Sequence, residues 1–200
     1  MNIGILGGSF DPPHIGHYFM AIQAKELMRL DEVWLVPCFS HPLHKDISLP
    51  QHRLHMTQMM KTDGIKVSDF EIRKEGISYT IDTLEAFKKK FSEDSFTLII
   101  GSDQLVTFPK WKKWQDIVTH YEVIVIPRET NISIIEENMK KYIFSSAKKH
   151  KMQLLDKNCI ITNVSSTQIR SRVKEGKTIK ELVNEKVENF IKKHQLYSKS

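Results

Sequence analysis

Apolar residues along the chain fall into two kinds of pattern. Short, nearly unbroken runs of β-forming residues stand at Asn2 to Leu6, Glu32 to Pro37 (EVWLVP), Phe96 to Ile100 (FTLII) and Glu122 to Ile126 (EVIVI). Between them the spacing is helical: from about Gly16 to Arg29, marked by Phe19, Ile22, Ala24 and Leu27, then over Gln51 to Lys61 and over Tyr79 to Phe91. Strands separated by helical patterns need crossover connections, which build a parallel sheet. Runs this continuous bury both faces of a strand, so helices are expected on both sides of the sheet. The pattern therefore predicts a doubly wound α/β fold with a mostly parallel sheet, in a single domain over residues 1–200.

Past the last of these runs come a shorter one at Cys159 to Thr162, a helix opening at about Thr167 and running to Lys174, and a final helix around Ile179 to His194. The C-terminal part is thus expected to be helical. Pro42 to Pro50 (PLHKDISLP) reads as the most loop-like segment. In open parallel sheets ligands bind beyond the carboxyl ends of the strands, where strand order reverses. Gly7 to His17, Pro37 to Lys45, Gly101 to Asp103 and Val164 to Arg170 all follow apolar runs, so their polar residues are expected to meet along one edge.

Composition narrows the class. A chain of 200 residues, 40% of them apolar, suffices for one domain with a full core. No apolar run approaches a membrane span and the N-terminus shows no basic-then-apolar signal pattern, so a cytoplasmic protein with no membrane partner is expected. Cys38 and Cys159 have no C-x-x-C spacing, which points to buried thiols and away from a zinc site or disulfide framework. The net charge of +6 is uneven: residues 1–150 hold 19 Lys/Arg against 19 Asp/Glu, while residues 151–200 hold 11 against 5. Lys148-Lys149 and Lys192-Lys193 fit solvated helix faces, and no basic module with stacking aromatics accompanies the excess; no nucleic-acid partner is expected.

The first chemistry lies in GILGGSFDPPHIGH at residues 4–17. Gly7 and Gly8 can bring backbone N–H groups close to an anion, and the helix that follows adds its positive end. A dinucleotide fingerprint would need G-x-G-x-x-G and a P-loop G-x-x-x-x-G-K-[ST]; neither is present. His14 and His17, at i, i+3, admit three readings. They could ligate a metal, although no local carboxylate or third histidine completes a set. They could cap the helix. They could donate to phosphate oxygens, where charge develops during phosphoryl or nucleotidyl transfer. Two prolines stiffen the approach to His14. Later in the chain Ser165, Ser166 and Thr167 offer hydroxyl and backbone donors at a helix start, and Arg170 adds a fork for a phosphate one turn on; an N-cap with a surface arginine is the plainer alternative.

These segments resemble known motifs. GGSFDPPHIGH is similar to the signature of the nucleotidyltransferase α/β-phosphodiesterase superfamily, a small residue followed by F-x-P-x-H-x-G-H or close variants, and VSSTQIRSR at 164–172 resembles its I-S-S-T-x-I-R motif. Within that superfamily the chain looks like the bacterial nicotinate-nucleotide adenylyltransferases. GISYTIDTL at 76–84 matches G-x-S-Y-T-x-D-T, GSD at 101–103 matches G-x-D, FPKWKKW at 108–114 matches F-P-x-W, and VPCFSHPLHK at 36–45 fits P-x-x-x-P-x-H-K. The likeness closes on VENFIKKHQLY. It departs at Asn184, where proline is common before the last helix, and at Gln104, where Asn is frequent.

The resemblance implies a Rossmann-like nucleotidyltransferase fold. It also implies transfer of AMP from ATP to nicotinate mononucleotide, giving deamido-NAD and pyrophosphate in NAD biosynthesis. The attack is direct and in line, with no covalent enzyme intermediate. It assigns ATP to Gly7, Gly8, Ser9, Phe10, His14, His17, Ser165, Ser166 and Arg170, with His14, His17, Lys45 and Arg170 as the catalytic set. It assigns nicotinate mononucleotide to Tyr79, Thr80, Asp103, Trp111, Lys112 and Lys45. Trp111 would stack on the pyridine, Asp103 would accept from ribose hydroxyls or else cap a short helix, and N–H groups near Thr80 and Lys112 would receive the carboxylate. Trp34 and Trp114 read as core. Mg²⁺ would arrive with ATP, since the sequence shows no dedicated carboxylate cage.

Two alternatives remain: an adenylyltransferase of the superfamily acting on nicotinamide mononucleotide or another acceptor, and a catalytically silent nucleotide-binding regulator. The SYT and F-P-x-W segments speak against the first. Intact His14, His17 and Arg170 speak against the second, because a pure binder has little need of a cation pair at the reacting phosphate. The sequence leaves oligomeric state open, a homo-oligomer included.

Overall fold

The computed structural model describes residues 1–42, 46–128, 131–143, 152–155 and 159–198, the side chains of 141–143 excepted. Six strands form its sheet: β1 (Asn2–Gly8), β2 (Glu32–Pro37), β3 (Ile65–Val67), β4 (Ser95–Gly101), β5 (Glu122–Ile126) and β6 (Met152–Leu154). They lie in the order β3-β2-β1-β4-β5-β6 and every pairing is parallel. The chain winds outward from β1 through β2 to β3, then returns to lay β4 on the other side of β1. Strand order therefore reverses between β1 and β4, whose carboxyl ends are Gly8 and Gly101. That point is where the fold leaves a crevice.

The four anticipated strands are buried on both faces. Successive residues alternate between two cores, as a two-residue repeat requires. Leu98, Ile100, Val123 and Val125 face α4 (Thr80–Lys90), α5 (Trp114–His120) and α6 (Ile132–Ile143) through Leu84, Phe87, Ile117 and Ile135. Ile99, Ile124 and Ile126 face the opposite layer, where α1 (Ile15–Leu27) packs Met20, Ala21 and Ala24. Trp34 is half-buried against Phe87, Phe91 and Phe96, as the core reading expected, and its Nε1 donates to Glu32 at 2.8 Å.

A third cluster sits beside the sheet. Met56 of α2 (Pro50–Gln58) packs there with Ile169 of α7 (Ser166–Lys174) and with Ile179, Val183, Val187 and Ile191 in and before α8 (Glu185–Lys193). The last helix is shorter than its expected span from Ile179. Asn184 starts it by accepting the N–H of Lys186 at 2.9 Å, which supplies a cap where a proline would only have fixed the backbone. Cys159 to Thr162 joins no strand; Gln23 of α1 instead pairs with both the N–H and the C=O of Ile160. Cys38 and Cys159 are both buried and in no disulfide.

Five strands and α-helices lie outside the expected set: β3, β6, α3 (Phe70–Lys74), α5 and α6. The first three are only three to five residues long and show no readable period. No helix among the described residues is long and apolar enough to cross a membrane.

Candidate active site

The crevice at the strand reversal is a cleft of about 480 Å³. Gly7 and Gly8 form one wall. A Cβ at Gly7 would meet nothing within 4 Å, so the missing side chain leaves the strand end open to an incoming group. Asp103, on the turn after β4, stands beside them and is mostly exposed. It lies inside the short 3-10 turn Ser102–Gln104 and does not cap it. A Cβ at Gly101 would come within 2.4 Å of the Asp103 carboxylate and 2.7 Å of the Arg128 side chain, so glycine permits that approach.

Tyr79, Thr80, Trp111 and Lys112 line the far end. Thr80 begins α4, whose first N–H groups have no acceptor within the helix and are open to a carboxylate. Trp111 follows the 3-10 turn Phe108–Lys110; its indole is half-buried, with its centre 5.2 Å from that of Phe108, and presents a planar apolar wall. The Lys112 ammonium is already engaged. It donates to both Asp82 carboxylate oxygens at 2.8 and 2.9 Å and lies 4.7 Å from the centre of the Tyr79 ring, which leaves only its backbone N–H for a ligand. Trp114 packs against Phe108, in keeping with a core role.

His14 and His17 lie outside the lining of this cleft, on the loop that leaves β1. His14 is the residue before α1 and is 3% exposed, yet its Nδ1 has no hydrogen-bond partner. The rings of His14 and His17 are 3.8 Å apart. The N–H of His14 donates to Nδ1 of His17 at 3.2 Å, so a neutral His17 carries its proton on Nε2. Burial pushes the His17 pKa down to about 3, helped by the positive field of Arg128. Burial lowers that of His14 still more, with His17 and Arg128 adding to it. The expected cation pair is therefore a pair of neutral imidazoles that can donate without carrying charge.

The SSTQIR segment meets this loop, as the sequence suggests. Ser166 Oγ donates to the Pro12 carbonyl at 2.8 Å and Arg170 Nη1 to the Asp11 carbonyl at 2.7 Å. The Asp11–Pro12 peptide is cis. Two assignments change at this point. Ser165 is the N-cap of α7, its hydroxyl accepting the Gln168 N–H at 3.2 Å, so the plainer reading holds for that residue. Phe10 has a ring only 1% exposed, packed 4.7 Å from His17, which leaves its main chain and not its ring to a nucleotide. Ser9 is half-buried and its carbonyl is taken by Arg53. The N-terminal end of α1 is also partly engaged, since Ile15 N–H donates to Leu182 C=O at 3.0 Å. Lys45 lies outside the described residues.

Three charged residues at this edge had no expected role. Arg128 follows β5, donates to the Val164 carbonyl, and has Nε 3.9 Å from the Asp103 carboxylate; its positive charge also acts on both histidines. A rule already stated, that polar residues after apolar runs meet at the edge, reaches it. Arg53 of α2 is 0% exposed and donates to the main-chain carbonyls of Ser9, Cys38, Phe39 and Ser48 at 2.6–2.9 Å. Glu71 is 7% exposed under the Tyr79 end of the cleft. Burial pushes its carboxyl pKa up, opposed by hydrogen bonds from Thr83, at 2.6 Å, and Ser78. Ser78 Oγ also accepts the Phe39 N–H at 3.0 Å, so Arg53 and Glu71 brace the same loop from opposite sides. Among the described residues, no three His, Cys, Asp or Glu side chains group to hold a metal ion.

The chain is similar to known proteins in sequence and in fold. Residues 5–172 match the cytidylyltransferase-like family model. A probable nicotinate-nucleotide adenylyltransferase of Caldicellulosiruptor saccharolyticus is 37% identical over 98% of this chain and 99% of its own. One of Exiguobacterium sibiricum is 35% identical over 99% of this chain and 100% of its own. Among solved structures, Plasmodium falciparum nicotinic acid mononucleotide adenylyltransferase complexed with NaAD superposes with a TM-score of 0.80 at 25% identity, covering 98% of this chain and 97% of that one.

Proposed function

The chain belongs to the cytidylyltransferase-like family, and from that premise we propose that it is a nicotinate-nucleotide adenylyltransferase acting in NAD biosynthesis. It transfers the AMP moiety of ATP to nicotinate mononucleotide and releases pyrophosphate. The observation that carries the acceptor is the far end of the cleft. An indole wall at Trp111 and the open N–H groups at the start of α4 suit a flat ring bearing an anionic carboxylate.

In this reading the mononucleotide phosphate attacks the α-phosphorus of ATP directly, and the protein contributes alignment and charge neutralisation. His14 donates to the transferring phosphate from a buried position and His17 from a half-buried one, where a hydrogen bond is stronger than in open water. The orphaned Nδ1 of His14 supports this, because a buried ring nitrogen with no partner is costly until something pairs with it. Arg170 and Ser166 hold the leaving phosphates, the Ser165 N–H being taken by Gln168 Oε1 at 2.8 Å, Lys45 neutralises charge on the reacting ones, and Asp103 accepts from ribose. Mg²⁺ would screen the phosphates. The residues present fit an ion carried in on the triphosphate, with phosphate oxygens and water as its main ligands. The reading places the enzyme in the cytoplasm, with ATP and nicotinate mononucleotide as its small-molecule partners.

Pyrophosphate release with ATP and Mg²⁺, measured in parallel on three acceptors, tests this. Nicotinate mononucleotide should exceed nicotinamide mononucleotide by about 10²-fold or more in kcat/KM, since an amide sets N–H donors against those of the protein. Equal rates would remove the carboxylate argument. Activity only on phosphopantetheine would move the chain to another branch, and release with none would make it a regulator. Trp111→Ala should raise KM for the pyridine nucleotide about 10-fold and spare ATP, as loss of a stacking wall predicts. An equal loss for both substrates would make Trp111 a packing residue.

A further inference from the structure

The last turn of the chain reaches back to the histidine loop. After α8, Leu196 and Tyr197 pack on the cluster formed by α2, α7 and α8, but the Tyr197 hydroxyl points out of that cluster and donates to Asp11 Oδ1 at 2.6 Å. Asp11 is 1% exposed, and its other carboxylate oxygen accepts the Ser48 N–H at 3.1 Å. The Ser48 hydroxyl in turn hydrogen-bonds the Tyr197 oxygen. Burial, and then the Asp11 charge, push the phenol pKa up, so it remains a donor at any physiological pH. Gln195 and Tyr197 hold φ values of +50° and +63°, left-handed backbone that residues with side chains rarely adopt unless surrounding contacts require it.

We propose that Tyr197 is a positioning residue for the transfer reaction, holding the Asp11 carboxylate and through it the loop that carries His14 and His17. The proposal rests on the function given above. Only Pro12 and Pro13 separate Asp11 from His14, and proline fixes φ, so few torsions can absorb a shift of Asp11 before it reaches the imidazole. The same residue's carbonyl is the acceptor for Arg170, so one displaced aspartate would move both halves of the phosphate site. Nothing in the reaction requires Tyr197 to touch a substrate. Its effect is on where the donors stand.

Tyr197→Phe removes the hydroxyl and keeps the ring. It is expected to lower kcat roughly 10-fold while KM for the pyridine nucleotide stays within about twofold, because the far end of the cleft is untouched. Hydrogen exchange in the ligand-free protein should speed up over residues 7–20 and stay unchanged over residues 80–90, a readout that holds whatever the substrate proves to be. Asp11→Asn combined with Tyr197→Phe should cost no more than Asp11→Asn alone. Unchanged exchange over residues 7–20 overturns the proposal, and so does unchanged kcat or an additive double variant. Wild-type protein inactive on nicotinate mononucleotide would overturn the function and leave the exchange test to judge the tyrosine.

Discussion

Replacing His17 by alanine is expected to lower kcat about 10²-fold or more, with a much smaller change in KM for ATP, as loss of a transition-state donor does. The geometry explains why. Nδ1 of His17 is held by the His14 N–H, which fixes the ring and leaves the Nε2 proton as its single donor. Burial keeps the ring neutral, so it contributes a directed hydrogen bond and little ground-state attraction to the triphosphate. A residue of that kind should act on the rate more than on binding. His17→Gln, which can place an amide N–H near the former Nε2, should recover part of the loss, whereas His17→Asn should not. A variant that lost only ATP affinity would make His17 a binding residue.

Replacing Arg53 by methionine should destabilise the fold by about 3–5 kcal/mol in urea denaturation, the cost associated with stripping a buried charged donor from its partners. Four main-chain carbonyls from three separate segments share this guanidinium: Ser9 after β1, Cys38 and Phe39 after β2, and Ser48 before α2. No other side chain has the number and spread of donors to serve them, so Arg53→Lys should rescue only a fraction. A loss below about 1 kcal/mol for Arg53→Met would mean that water reaches these carbonyls and that the arginine is dispensable.

Much of the framework was legible. Strands β1, β2, β4 and β5 announced themselves because a strand buried on both faces has to be written as a continuous apolar run. The two missing strands are edge pieces of three residues, too short to carry a period. Helix α6 did have a signal, Ile132, Ile135 and Met139 at helical spacing, with Ile135 and Met139 buried. Within the site, the residue types at Gly7, Trp111 and Ser166 could be read because their neighbours form compact motifs. Arg53 could not. It lies in a polar helical stretch where an arginine looks solvated, and its partners are carbonyls, which every residue possesses and no sequence marks. Arg128 was within reach of the strand-end rule and needed only that the rule be applied to β5.

The clamp on the histidine loop also has a bearing on how the protein comes into being. Asp11 leaves the ribosome well before Ser166, Arg170 and Tyr197, which hold it and its neighbour Pro12 across 154 to 186 residues of sequence. Chains fold from the N-terminus as they are made. The sheet can therefore form during translation while the reaction centre waits for the segment that carries Tyr197. A message cut short just before the codon for Tyr197 would yield a folded but poorly active product, which could occupy substrate without turning it over.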